Sequence, residues 1–130
     1  MTDKIKEFHN EVETNIRNLG KNKQLQQESI DWTNKTAEYN YSYNFSMLGR
    51  PIIQYPQDMI AFQEIIWKTK PDLIIETGIA HGGSLILSAS MLTLLDYCEA
   101  QQKNEILDPS NPKRKVLGID IDIRSHNRSA

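Results

Sequence analysis

The chain has 130 residues, 38% hydrophobic and 25% charged, with a formal net charge of −2, the make-up of one ordinary globular domain. The near-even charge leaves no basic surface for nucleic acid or anionic lipid, and a lone cysteine, Cys98, cannot form an internal disulfide. No apolar run approaches the roughly 20 residues that span a bilayer, and the charged first residues lack a signal peptide's apolar core, so a cytoplasmic protein is expected.

Ile5, Phe8, Val12, Ile16 and Leu19 fall at spacings of 3, 4, 4 and 3, one narrow stripe of a helix. Asp3 suits its N-cap and Gly20 its stop. The stripe is expected to pack on the domain or on another subunit. A second helix is expected over 23–35, making 1–38 a helical extension ahead of a domain at 39–130. Tyr39, Tyr41, Tyr43 and Phe45 alternate with polar residues, the pattern of a short strand or extended segment with one aromatic face. That strip, with Arg50 beyond it, either lines a pocket for a sugar or flat substrate or caps the end of a core. Pro51 and Pro56 hold the chain extended between them.

Pro56 suits the first turn of a third helix, with Asp58 complementing its dipole and Met59, Phe62, Ile65 and Ile66 forming its apolar face until Pro71. A strand is expected over Leu73 to Glu76. After it, Thr77-Gly78-Ile79-Ala80-His81-Gly82-Gly83-Ser84 reads as a turn into a helix capped by Ser84, whose residues Leu85 to Tyr97 are nearly all apolar or small, as in a helix buried on a parallel sheet. Glu99 to Arg114, with Asp108-Pro109 and Asn111-Pro112, reads as a surface insertion. A second strand, Val116 to Asp120, follows.

Strand, glycine turn, helix and strand make a βαβ unit of nucleotide-binding type. Such turns let backbone approach a ligand closely and aim helix N–H groups at it. A carboxylate at the strand exit, Glu76, would repel a pyrophosphate but suits a ligand with a cationic end, such as S-adenosylmethionine. Asp120 ends the second strand, where a carboxylate can accept from both hydroxyls of a ribose. Asp122 shares its face and competes for that role, and the insertion accounts for the long spacing from Gly78. His81 lies in the turn, either touching the ligand or facing solvent. His9, His81 and His126 form no metal-ligand pair, so no metal site is expected. No Lys-Ser or Lys-Thr follows the glycines, which excludes a P-loop, and no Ser–His–Asp or Cys–His set is discernible.

Gly49-Arg50-Pro51-Ile52-Ile53-Gln54, Gln63-Glu64-Ile65-Ile66, Glu76 to Ser84, and Gly118-Ile119-Asp120-Ile121-Asp122-Ile123-Arg124 together resemble the cephalosporin hydroxylase and rhamnosyl O-methyltransferase family, over about Tyr41 onward. The resemblance implies an α/β chain, the N-terminal part of a Rossmann-like class I methyltransferase fold with a parallel sheet flanked by helices. It implies S-adenosyl-L-methionine as cofactor, held by Glu76, Gly78, Ala80, His81, Gly82, Gly83, Ser84 and Asp120. Magnesium in some members would take ligands beyond this chain. Two strands fall short of such a sheet, so an incomplete and inactive fragment is expected. The implied activity is methyl transfer to a hydroxyl of a sugar, glycolipid or related small molecule, with possible self-association through the first helix. The catalytic residue is not identifiable. Two rivals are an inactive cofactor-binding or assembly module and an NAD-dependent oxidoreductase, the latter disfavoured by Glu76.

Overall fold

The structure, a computed structural model, describes residues 3–128. A break between Tyr41 and Ser42 divides the chain into two compact units. The first is a helical hairpin of α1 (Asp3–Lys21) and α2 (Lys23–Ala37). α1 runs through Gly20, and Asp3 lies in its first described turn instead of capping it. The punctuation falls at Asn22, whose side chain accepts from the Leu25 amide at 3.0 Å and caps α2. Neither helix has a buried residue, and Phe8 and Ile16 stay more than half exposed. The ring of Trp32 meets Tyr41 edge-on at 5.1 Å.

The alternating aromatics, expected as a short strand or extended segment, do not form one element. Tyr41–Tyr43 is a 3-10 turn, and only Phe45 of the alternating aromatics enters β1 (Phe45–Met47). β1 pairs antiparallel with β2 (Arg50–Ile52), Met47 opposite Arg50. Leu48 and Gly49 between them have φ of +48° and +84°, the left-handed pair that a two-residue hairpin turn requires. α3 (Pro56–Thr69) starts on Pro56 and ends at Lys70, whose left-handed backbone donates to the Ile66 carbonyl at 2.8 Å.

β3 (Leu73–Thr77), α4 (Gly83–Lys103) and β4 (Lys115–Ile119) form the expected strand–helix–strand unit. The strands pair parallel, Leu73 opposite Lys115 and Glu76 opposite Gly118. Helix and parallel strands together make a small α/β arrangement. Its core is Ile66 of α3 with Leu92 and Leu95 of α4, joined by Phe62, Met91, and Ile74 and Val116 from one sheet face. Residues of the other face, Leu73, Ile75, Leu117 and Ile119, remain about half exposed. α4 is also less enclosed than its sequence suggested, since Leu94 and Tyr97 are more than half exposed. α5 (Ser125–Arg128) closes the described chain. Among the described residues no helix is long and apolar enough to cross a membrane.

The supposed surface insertion is anchored at both ends. Its first residues extend α4 to Lys103, and its last, Arg114, is buried. Arg114 donates to Asp96 at 2.5 Å and to Glu99 at 2.7 Å, with the Arg114 and Asp96 side chains almost inaccessible. Hydrogen bonding from Arg114 holds Glu99 below the usual carboxylate range. Arg114→Met would leave the buried Asp96 carboxyl without its partner, at a cost of about 3–5 kcal/mol. Chemical denaturation should show that loss, and the double variant Arg114→Met/Asp96→Leu should recover most of it, because two apolar groups need no partner.

Candidate functional site

The turn between β3 and α4 carries three left-handed residues: Gly78 at φ +82°, Ala80 at +46° and Gly82 at +82°. Glycine adopts this conformation freely, whereas an L-residue such as Ala80 pays of order 1–2 kcal/mol for it. Gly78 N–H donates to the Ile119 carbonyl at 2.8 Å, carrying the parallel ladder one step past the strands. Gly82 N–H closes the turn onto the Ile79 carbonyl at 2.8 Å. Gly82 is the residue that caps α4, with no side chain involved, so Ser84 does not fill the expected capping role.

Ser84 instead donates its hydroxyl to Oε1 of Glu76. Glu76 shares the covered sheet face with Ile74, and this bond fastens its carboxylate to the first turn of α4, where the helix dipole favours negative charge. Gly83 is set by a close approach. A Cβ there would fall 2.3 Å from the Pro51 carbonyl oxygen and 2.7 Å from the Ile52 Cβ. The β1–β2 hairpin can lie on the start of α4 only because position 83 has no side chain.

Asp120 immediately follows β4 and reaches back to the turn. Its Oδ2 accepts from the Ile79 amide at 2.7 Å and its Oδ1 from the Asp122 amide at 3.0 Å. Backbone amides, Asp122's first and Ile79's next, hold its carboxyl below the usual aspartate range. Both of its oxygens thus have protein partners, which sequence reasoning did not anticipate.

Two clefts flank the turn. The larger, about 610 Å³, is lined by Glu76, Gly78, Ala80, His81, Gly83 and Ser84 on one side and by Met59, Phe62 and Ile65 of α3 on the other. The second, about 320 Å³, brings together Tyr43, Asp120, Asp122, Arg124 and Asn127. Ile53, Ala80 and His81 border both. Six of the expected residues thus line one cleft, and Asp120 lines its neighbour. Gly82 is buried beneath the Arg50 side chain, 3.7 Å from its nearest guanidinium nitrogen to a hypothetical Cβ. The His81 and His126 rings lie 6.3 Å apart.

Arg50 and Asn127 were not among the expected site residues. Arg50 donates to the His81 carbonyl at 3.1 Å and Asn127 to the Ala80 carbonyl at 2.5 Å. The sequence placed Arg50 beside the aromatic strip, as part of a pocket or a core cap, and in a family-like block, but not on the glycine turn, and no local pattern marks Asn127. Among the described residues, no group of three or more His, Cys, Asp or Glu side chains could hold a metal ion.

Residues 39–130 match the family described as rhamnosyl O-methyltransferase/CmcI. No curated protein and no solved structure matches the chain.

Two measurements probe this geometry. Gly83→Ala must push the hairpin off α4, since backbone and not a flexible side-chain end blocks the new Cβ. A melt should register the ~1–3 kcal/mol typical of overpacking. Acidification should loosen the turn through Asp120. Because its carboxyl titrates lower when folded than its ordinary 3.8, its stabilising effect is complete above that pH and lost as pH falls below it. The Ile79 amide resonance should shift across that window in the native protein and stay flat in Asp120→Asn.

Proposed function

The chain belongs to the rhamnosyl O-methyltransferase/CmcI family, and from that membership we propose that the glycine turn binds S-adenosylmethionine in a Rossmann-like methyltransferase fold. The methyl group would pass to a hydroxyl of a sugar, glycolipid or related small molecule. The observation that carries this reading is Glu76. A carboxylate stands at the exit of β3, tied to Ser84 and facing the larger cleft, where a dinucleotide site would need neutral groups beside a pyrophosphate. The family favours neither an NAD-dependent oxidoreductase nor an inactive assembly module.

The residues present fit such a cofactor. The cleft lies within the roughly 300–1,000 Å³ usual for small-molecule sites. It sets two acids, Glu76 and Asp58, among backbone, hydroxyl and apolar groups with no lysine or arginine, a lining suited to a cationic and partly apolar ligand. When bound, S-adenosylmethionine supplies a methyl carbon made electrophilic by its sulfonium. Glu76 would offset the cationic charge, with Ser84 fixing its carboxylate. The left-handed Gly78 would let backbone lie against the ligand, alongside Ala80, His81, Gly83 and Ser84, while Gly82, buried beneath Arg50, would serve the turn's path and not touch the ligand. Asp120 would face the ribose side from the second cleft while keeping its amide partners. Met59 and Phe62 would exclude water from the apolar side, and orientation of the two reactants would supply much of the rate gain.

Calorimetry separates the donors. S-adenosylmethionine or its demethylated product, S-adenosylhomocysteine, should bind and NAD should not. Glu76→Gln should weaken binding by about 1.5–3 kcal/mol, the worth of a hydrogen bond to a charged group. Tight NAD binding with no response to either methyl-cycle ligand would sink the reading.

A further inference from the structure

Three successive residues of the glycine turn are each gripped by a side chain from elsewhere in the second unit. Asp120, after β4, accepts from the Ile79 amide at 2.7 Å. Asn127, in α5, donates to the Ala80 carbonyl at 2.5 Å. Arg50, in β2, donates to the His81 carbonyl at 3.1 Å. Ala80 between them holds a left-handed backbone at φ +46°, a conformation that persists in an L-residue only when its surroundings impose it.

We propose that Arg50 and Asn127 are positioning residues for the glycine turn, holding the Ala80 and His81 peptides in the left-handed path that shapes both clefts. Each supplies a donor to a carbonyl that the turn's own backbone bonds do not use. Arg50 has a second hold, because its side chain lies over Gly82, with Cδ 3.8 Å from the position of a Cβ there. Asn127 borders the second cleft and Arg50 approaches from the hairpin on α4, so the turn is clasped from two sides. Neither residue borders the larger cleft. Their effect on a ligand there therefore runs through the turn. The consequence for the methyl donor rests on the function proposed above, whereas the positioning itself belongs to the ligand-free protein.

The test begins without ligand, on the whole chain. Arg50→Met keeps an aliphatic stem over Gly82 and removes the donors. Asn127→Asp keeps the shape and replaces the donating amide with an acceptor. Hydrogen exchange of the amides at 79–83 should accelerate about tenfold in each variant, the loss of roughly one hydrogen bond, while β3, β4 and the buried turns of α4 keep their native protection. Unchanged exchange at the turn in either variant would overturn the proposal. Acceleration spread evenly over β3, α4 and β4 would also overturn it, since that marks a general loss of stability. Arg50→Lys, which retains one donor, should recover part of the protection. S-adenosylhomocysteine titrated into the same proteins should then bind about tenfold more weakly to both variants at temperatures well below their melts. Failure of the native protein to bind it would remove the methyl-donor reading and leave the exchange result standing.

Discussion

The missing side chain at Gly83 is the constraint on which the rest of the second unit depends. With no Cβ there, the Pro51 carbonyl and Ile52 lie against the first residue of α4, and Ile52 becomes almost wholly buried. That contact seats the β1–β2 hairpin, which brings Arg50 over Gly82 and to the His81 carbonyl. It also sets Pro51, Ile53 and Gln54 along the larger cleft. The methylene that any other L-residue would insert is a small volume, but it meets backbone that cannot rotate aside.

Two carboxylates border the turn, and their surroundings divide their work. Glu76 is held at one oxygen by the Ser84 hydroxyl and lines the larger cleft. Asp120 spends both oxygens on backbone amides, one in the turn and one just after itself. An acid satisfied in that way braces the loop first, and any hydroxyl it takes must share lone pairs already in use. Asp122 stands in the second cleft beside Arg124, and its own amide completes the grip on Asp120. The sequence favours Asp120 over Asp122 for a ribose, and in the fold the second residue's backbone helps to fix the first residue's side chain.

The sequence was most legible where local rules act. The periodicity of Met59, Phe62 and Ile66 between two prolines marked α3, and the run from Leu73 through Glu76 marked β3, which extends one residue further to Thr77. The rhamnosyl O-methyltransferase family was legible in blocks around the turn, and residues 39–130 match it. The β1–β2 hairpin was not, because its turn uses Leu48 at φ +48°, a residue that no turn preference would choose. The aromatic alternation over 39–45 misled as well. Tyr41 meets Trp32 edge-on, a contact nine residues away in sequence, and the chain from Tyr41 to Tyr43 is a 3-10 turn. Arg114 looked like the end of a charged surface loop. Only the pairing of β4 alongside α4 reveals the two acids, 18 and 15 residues earlier, that bury it.

The candidate site follows the same division. Its backbone path was legible in glycines, but the bonds that hold the path were not, because they span 31, 41 and 47 residues. Each such bond needs its own distant element, the hairpin, the end of β4 or α5, beside the turn, and must overcome the entropy of closing a long loop. The turn's geometry is therefore a property of the folded unit and not of the local sequence. Glycines at 78 and 82 make the path affordable, but they also make alternative paths affordable, since glycine enters left-handed and right-handed regions with equal ease. Distant side chains resolve that ambiguity by bonding to one arrangement of the peptides at 79, 80 and 81. Opening the hairpin would release the His81 carbonyl, and displacing α5 would release that of Ala80. In either case the clefts on both sides would lose their shape together, because Ala80 and His81 are walls of each.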